Sequence, residues 1–338
     1  MSNLMEKKRH WLKGDCHLHT VNSDGKCTPE ELYDMLYEYG FDFAFITDHN
    51  VNTPGRKAFI HRGVAIFPGM EISGSLGHVN IWGENLPFER IQRPDTEEAY
   101  YTLIDKARAA GCHVSVNHPF DRKLSWKIDR DNFKMDSVEV WNSPMHTDNI
   151  YCQQWWSEKL LQGEFIPAVG GSDYHEDYVV TRLLGVPTTY VCAESASIDD
   201  VLSAIKKGHI FVTNSPKAPK IFLTSGDAIP GDRVKFTEGT SVNVNVETLK
   251  KGQTVRIYHN ENVIFEFTAR KNEKNFSASV TVPSEGFVRA DVKFTYNALI
   301  KAGYVQLAGK GFGMHDKGEP VPDMLYSFTN PIFFVNET

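Results

Sequence analysis

Short hydrophobic runs alternate with amphipathic stretches along the first two thirds of the chain. Several of the runs, such as 41–49 and 112–119, are apolar on both faces, as are strands covered by helices on each side. Helix start signals fall between the runs: Thr28 and Glu31 form a capping-box pattern around Pro29. This alternation predicts right-handed βα units around a parallel sheet. Beyond a first strand that ends in His17 and His19, the predicted strands lie at 41–49, 63–73, 77–83, 112–119, 136–142, 165–175 and 187–193.

The pattern changes after a proline-containing joint at 214–220. Beyond it, strict apolar–polar alternation and turn dipeptides predict strands with little helix. The stretch 254–269 has the pattern of a hairpin turning near Asn260. We therefore expect two domains, an α/β domain over 1–215 and a smaller antiparallel β-sandwich over 216–338.

Composition and charge narrow the function classes. The chain of 338 residues is longer than a domain with one ordinary hydrophobic core, so two domains are expected. Its content of 41% hydrophobic and 23% charged residues is typical of globular proteins. A net charge of -7 argues against binding duplex nucleic acid. The sequence contains neither an apolar run of about 18 residues nor a secretory h-region, so we expect no membrane association and a cytoplasmic location. Five cysteines without a CxxC pair predict free thiols in a reducing compartment.

Ionisable residues stand where the predicted strands end. His17 and His19 are two apart on one strand, so their side chains face the same way and can bind one ion or two neighbouring ions. Asp173 and His175 repeat this geometry on a later strand. In a barrel of parallel strands, such ends meet at one face. The other residues of this pattern are Asp24, Asp48, His49, Glu71, His78, His118 and Glu139.

Each of these residues alone is more often a structural hydrogen-bonding group or a helix cap than a metal ligand. Together they favour a metal site, because burying about eight such groups without one would cost several kcal/mol each. Imidazoles and carboxylates without thiolates favour Zn, Mn or Fe. Asp15 lies one strand step below His17 and is expected to orient a ligand imidazole, and Asp48 is a second candidate for such support. The histidines expected to lie outside the site are His10, His61, His113, His146, His209, His259 and His315.

The motifs HLH, SDG, TDHN, PGMEIS, NHP and SDYH resemble, in order and context, those of the PHP (polymerase and histidinol phosphatase) superfamily. The resemblance covers residues 12–215, and the variants NHPF, VEVWN and VGGSDYH are most similar to a branch that includes carbaryl hydrolases. It implies a distorted (β/α)7 barrel that holds two or three divalent ions. The ligands implied by the resemblance are His17, His19, Asp24, His49, Glu71, His118, Asp173 and His175.

Some assignments within this resemblance stay open. Glu71 takes the place of a carboxylate that bridges metals. The VEVWN segment fills the position of a further ligand in some members, so Glu139 or Asn142 could contact a metal. His78 is a candidate ligand or substrate contact.

The leading hypothesis is a metal-dependent hydrolase of a small-molecule substrate, with a metal-bridging hydroxide as nucleophile. Glu71, His78 and Asp173 are the candidate catalytic residues, and His78 could protonate the leaving group. A phosphoester is the first choice of substrate, with Arg122 and Arg182 as substrate-binding cations.

Two alternatives remain. A carbamate or carboxylic ester needs no such cations, and an aromatic wall of Trp82, Trp126 and Trp141 would suit it. A binding protein with a degenerate PHP domain is the third hypothesis, but the complete ligand set argues against it. The sequence leaves the oligomeric state open.

Overall fold

Four helices are interspersed among ten strands up to residue 213, and strands dominate the described residues thereafter. The computed structural model describes residues 9–143, 148–177, 182–306, 318–319, 321 and 323–336. His146 and His315 lie outside the described residues. Helices α1 to α5 span Pro29–Glu38, Glu97–Ala109, Asp148–Leu161, Ile198–Lys207 and Ala298–Tyr304. Strands β1 to β10 span His10–Asp15, Phe43–Ile46, Phe59–His61, Val64–Gly74, Gly77–Trp82, His113–Val116, Ser137–Asn142, Ala168–Gly171, Thr188–Ala193 and Ile210–Thr213.

The sheet of this part is mixed, so the chain has a mixed α/β fold. Strands β1, β2 and β4 run parallel, as do β6, β7 and β8. Strand β5 pairs antiparallel with both β4 and β6, and β9 pairs antiparallel with β1 and β10. The expectation of a parallel sheet is wrong at β5 and at β9. The pairing of Gly74 with Gly77 leaves two residues between β4 and β5, too few for a crossover. The seven-unit barrel stays a prediction.

The first helix shows how local sequence determines an element. Thr28 accepts a hydrogen bond from the Glu31 N–H, and the Glu31 side chain accepts one from the Thr28 N–H. This capping box satisfies two of the donors left open at the start of α1. Leu32 and Leu36 then pack on the sheet, which places the loop before α1 beside the end of β1.

The tail is joined to the first part by one continuous sheet. Strands β11 to β19 span Lys220–Thr224, Arg233–Lys235, Ser241–Leu249, Thr254–His259, Asn262–Thr268, Glu273–Thr281, Gly286–Phe294, Met324–Thr329 and Ile332–Val335. Strand β18 pairs with β10, and β17 pairs with β18, β14 and β19. Strands β11, β13 and β16 form a second sheet. The expected hairpin is present as β14 and β15.

The hydrophobic core also crosses from one part to the other. Phe211 of β10 and Tyr190 of β9 pack in one cluster with tail residues such as Val244 and Val288. The β-sandwich domain and its boundary at 215/216 therefore stay predictions, since both a strand ladder and a core cross that boundary.

Within the described residues, no helix is both long enough and apolar enough to span a bilayer. All five cysteines are described and none forms a disulfide. Four of them are buried. Burial of Cys112, for example, raises the pKa of its thiol to about 11.

Candidate metal centre

Side chains from the ends of six strands and one loop converge at one place. They form four overlapping groups in which the ligand atoms lie within 4.8 Å of one another. Each group combines imidazole nitrogens with carboxylate oxygens and contains no thiolate. The contributing residues are His17, His19, Asp24, His49, Glu71, His78, His118, Asp173 and His175.

Glu71 lies at the centre of the cluster. Its Oε1 is 3.2 Å from His17 Nε2 and 3.3 Å from His118 Nε2. Its Oε2 is 2.6 Å from His49 Nδ1 and 3.6 Å from His19 Nε2. The two oxygens therefore face two different sets of imidazoles.

Two aspartates extend the cluster towards solvent. Asp173 Oδ1 is 3.0 Å from His19 Nε2 and 3.4 Å from His17 Nε2. Asp24 Oδ1 is 3.1 Å from His175 Nε2. The first loop thus returns Asp24 to the strand ends, and the His-x-His and Asp-x-His pairs meet.

The imidazoles of the first strand fit divalent ions. Nε2 of His17 and Nε2 of His19 are buried and have no hydrogen-bond partner within the described part of the chain. Their other nitrogens lie near side-chain oxygens, His17 Nδ1 at 3.0 Å from Glu139 and His19 Nδ1 at 3.5 Å from Ser23. A carboxylate only accepts hydrogen bonds, so the proton of neutral His17 sits on Nδ1 and the Nε2 lone pair faces the carboxylates. A divalent cation would satisfy these buried atoms.

The same electrostatics perturb the pKa values strongly. Burial would lower the pKa of His118, but the hydrogen bond and charge of Glu71 raise it to about 9. Asp24 likewise outweighs burial and raises the pKa of His175 to about 9. For His19, burial dominates and lowers the pKa to about 4. Protons and metal ions therefore compete for the same nitrogens.

Two of the candidate ligand residues have strained backbone conformations. His118 and Asp173 have φ values of 27° and 52°, in a region that non-glycine residues rarely adopt. Such conformations cost about 1–3 kcal/mol and persist where the surrounding structure enforces them, commonly at functional sites. Close packing at the site requires glycine at position 171, because a Cβ there would overlap Glu139 Oε1 and lie 2.5 Å from His17 Cβ.

Glu139 supports the cluster from behind. Its Oε1 accepts from His17 Nδ1, and its Oε2 accepts from the His118 N–H and from Asn142 Nδ2, each at 3.0 Å. Asn142 Nδ2 also lies 3.4 Å from Asp173 Oδ2. Glu139 belongs to none of the four ligand groups among the described residues, and its contacts orient His17 and the His118 backbone. A metal contact by Asn142 stays a prediction.

Asp15 does not have the role expected from its strand parity. Its carboxylate accepts from the backbone N–H groups of His17, Ser172 and Gly185, at 3.2, 3.1 and 3.1 Å. It therefore ties three chain segments together and bonds no imidazole. Burial raises its pKa to about 6.

Asp48 acts on the cluster through a hydroxyl. It accepts from the Thr20 N–H and from Ser23 Oγ, at 2.7 and 2.6 Å. Ser23 Oγ in turn lies 3.5 Å from His19 Nδ1. Asp48 thus holds the first loop in place and orients His19 indirectly.

Two supporting residues were absent from the sequence prediction. Ser73 Oγ lies 2.6 Å from His49 Nδ1, and Asn117 Nδ2 donates to Glu71 Oε1 at 2.8 Å. Ser73 shares a strand face with Glu71, so the strand period could have indicated it. Asn117 directly precedes His118 at a strand end, and no spacing rule singles it out.

The two expected substrate-binding arginines, Arg122 and Arg182, have different hydrogen-bond partners. Arg122 Nε donates to Asp148 Oδ1 at 3.2 Å, and its Nη2 pairs with Glu319. Arg122 follows His118 by four residues in the chain, and its role in substrate binding stays a prediction. The Arg182 guanidinium donates to Tyr39 Oη at 2.6 Å, just after α1 ends, and its role in substrate binding stays a prediction.

The expected aromatic wall is wrong, because all three tryptophans are core residues. Trp82 stacks on Phe45 with ring centroids 4.8 Å apart, and Trp126 packs on Phe133 at 4.9 Å. Trp141 lies in the core cluster beneath α3. Among the described residues, the histidines expected outside the site do lie outside the ligand groups, and they are His10, His61, His113, His209 and His259.

Comparison with known proteins gives only distant similarities. No protein-family model matches the chain, and no curated protein matches it. A two-domain protein from Bacteroides vulgatus, containing a predicted PHP-like metal-dependent phosphoesterase, is 19% identical with a TM-score of 0.49, over 84% of this chain and 90% of that one.

Two further solved structures have lower scores. PsfC from Pseudomonas syringae is 17% identical with a TM-score of 0.42, over 58% of this chain and 87% of its own. An amidohydrolase from Chromobacterium violaceum is 17% identical with a TM-score of 0.36, over 57% of this chain and 96% of its own.

Proposed function

We propose that this protein is a metal-dependent hydrolase of the PHP superfamily. The observation that carries the proposal is the set of four overlapping ligand groups at the strand ends. The motif order from HLH to SDYH supports the same assignment. We also propose that its substrate is a small molecule and that it is located in the cytoplasm. The proposal includes two domains that meet at 215/216.

The residues present would hold two or three divalent ions, Zn, Mn or Fe. When bound, such ions supply Lewis acidity and lower the pKa of a water molecule. Glu71 would bridge the ions, because its two oxygens face separate imidazoles. His78, whose Nδ1 lies 3.1 Å from Glu71 Oε1, is the imidazole we assign to protonating the leaving group.

A phosphoester is the substrate class we propose first. Several adjacent divalent ions would offset the charge of a phosphate, and an arginine fork matches phosphate oxygens well. We assign this role to Arg122, which follows His118 by four residues in the chain and is partly buried.

A carbamate or carboxylic ester is the second candidate, as in the carbaryl-hydrolase-like branch. The pairing of Arg122 with both Asp148 and Glu319 favours it, because an anionic substrate would have to compete with two carboxylates. A neutral ester avoids that competition.

A substrate panel in defined metals tests the proposal. Full-length protein loaded with Zn, Mn or Fe would be assayed on p-nitrophenyl phosphate, p-nitrophenyl acetate and naphthyl methylcarbamate. Glu71→Gln should abolish turnover while the fold persists, because it removes the central charge at nearly constant volume. Glu89→Gln is the control, since Glu89 is exposed on the surface.

The outcomes separate the two substrate classes. Turnover of p-nitrophenyl phosphate alone supports the phosphoesterase, and turnover of the neutral esters alone supports the second candidate. Glu71→Gln activity within about threefold of wild type, less than about 1 kcal/mol in barrier, would contradict the bridging role.

A further inference from the structure

One side chain of the tail reaches the first part of the chain at Arg122. Glu319 Oε2 pairs with Arg122 Nη2, and Glu319 Oε1 accepts a hydrogen bond from Tyr151 Oη at 3.4 Å. Tyr151 lies in α3, whereas Glu319 lies 197 positions beyond Arg122 in the chain. The tail therefore places a carboxylate on the arginine that we assign to substrate binding.

A pocket connects this contact with the candidate metal centre. His118, a candidate ligand, and Glu139, which supports it, line this pocket. Asp148, the partner of Arg122 Nε, lines the same pocket. The backbone agrees, because the Asp121 N–H donates to the His118 carbonyl at 2.9 Å and closes a turn that leads to Arg122. The contact between Arg122 and Asp148 therefore adjoins a pocket that includes a candidate ligand.

The two carboxylates that pair with Arg122 are held differently. Asp148 is 6% exposed and accepts from both the backbone N–H and Nε of Arg122, each at 3.2 Å, so it fixes the position of the arginine. Glu319 meets the same guanidinium at Nη2, where the Arg122 and Glu319 side chains are 21% and 20% exposed. Because solvent screens such a partly exposed ion pair, the pair contributes little and an anion from solution can replace Glu319.

The chemistry of this contact matches that of an anionic substrate. A guanidinium donates two parallel hydrogen bonds to carboxylate and phosphate oxygens alike. The Glu319 carboxylate therefore occupies a donor that an oxyanion of the substrate would need. A neutral ligand makes no such demand on Arg122.

We propose that Glu319 is a specificity-determining residue of the substrate site. It competes with anionic groups of the substrate for Arg122, so a phosphate group binds there only when it displaces Glu319. A neutral ester leaves the pair of Arg122 and Glu319 intact. The proposal rests on the proposed function, since it takes Arg122 as the substrate-binding cation, and it gives the tail a role in substrate selection.

Isothermal titration calorimetry with inorganic phosphate tests the competition in the full-length protein. Glu319→Gln should bind phosphate about tenfold more tightly than wild type, because its amide is a neutral competitor and charge-assisted hydrogen bonds are the stronger ones. Glu238→Gln is the matched control, since it removes the same charge at an exposed loop position, and it should bind phosphate like wild type. The titrations are made on protein reconstituted with Mn and repeated in EDTA, where no metal ion can hold the phosphate.

A second substitution tests whether the gain depends on Arg122. Arg122→Met in the Glu319→Gln background should return the phosphate affinity to the wild-type value or below, because the guanidinium that both anions need is absent. If this double variant misfolds, since Asp148 loses its contact with Nε, Arg122→Lys takes its place. Lysine keeps the charge but lacks the fork, so most of the gain should be lost there too.

Four results would overturn the proposal. They are no saturable binding of phosphate to Glu319→Gln at millimolar concentration, equal phosphate affinity in wild type and Glu319→Gln, an equal gain in Glu238→Gln, and a gain that persists without the Arg122 guanidinium. The last result would mean that Glu319 acts only through its charge. The titration needs neither turnover nor bound metal, so a protein that fails the hydrolase assays can still confirm or refute the competition.

Discussion

Glu139→Gln tests how the chain orients the first metal-facing imidazole. Glu139 is 2% exposed, and both of its oxygens accept hydrogen bonds. Oε1 serves His17 Nδ1, whereas Oε2 serves the His118 N–H and Asn142 Nδ2. Glutamine has the same shape but a single oxygen, so it cannot accept on both sides.

The count of donors decides which way the amide will point. Turning its NH₂ towards His118 and Asn142 would leave two buried donors unsatisfied, at about 1–3 kcal/mol each. The NH₂ will therefore face His17 Nδ1, which must then accept. The proton of the neutral imidazole moves to Nε2, the atom that faces Glu71 and Asp173. We expect metal affinity to fall about 10- to 100-fold, the usual effect of losing such an outer partner.

A competition titration against a fluorescent chelator measures this loss in the full-length protein. Glu238→Gln, at an exposed loop position, controls for the change in charge. Thermal unfolding in EDTA shows whether the metal-free variant keeps its fold. A dissociation constant within about threefold of wild type, about 0.7 kcal/mol, would refute the orientation argument.

Two further predictions concern packing and pH. Gly171→Ala should destabilise the fold by about 1–3 kcal/mol in urea unfolding and weaken metal binding, because its methyl overlaps Glu139. Gly303→Ala is the control and should do neither, since among the described residues its methyl would meet no atom within 4 Å beyond its own helix and chain neighbours. Equal losses in both variants would contradict this reasoning. Burial would raise the pKa of Asp232, but the hydrogen bond to His209 outweighs burial and lowers that pKa. Asp232 therefore stabilises the fold above its unfolded pKa, and this stabilisation is lost as the pH falls through its folded pKa. Asp232→Asn should therefore lower the unfolding free energy at neutral pH and have a shrinking effect in acid; a constant difference would contradict this.

The candidate site was largely predictable because its signals are local. Strand period and strand ends are enough to indicate that His17 and His19 face one way and that Asp173 and His175 repeat the pattern. The start of α1 was predictable for the same reason, since its capping box spans four residues.

The contacts that local patterns did not indicate join distant segments. Glu139 meets His17 only because β8, with Gly171 at its end, allows their close approach. Asp15 had the expected strand parity, but its carboxylate accepts from the backbone N–H groups of Ser172 and Gly185. The fold brings these two residues from 157 and 170 positions away. Arg182 is close to His175 in sequence, yet its side chain ends on Tyr39.

The metal content of the purified protein tests the central claim most directly. Elemental analysis after reconstitution should find two or three equivalents of Zn, Mn or Fe in wild type, because four ligand groups overlap at the strand ends. The double variant His17→Ala and His19→Ala should lose most of this metal, whereas His61→Ala, outside the cluster, should keep it. Less than one equivalent in reconstituted wild type, or equal metal in the double variant, would contradict the account.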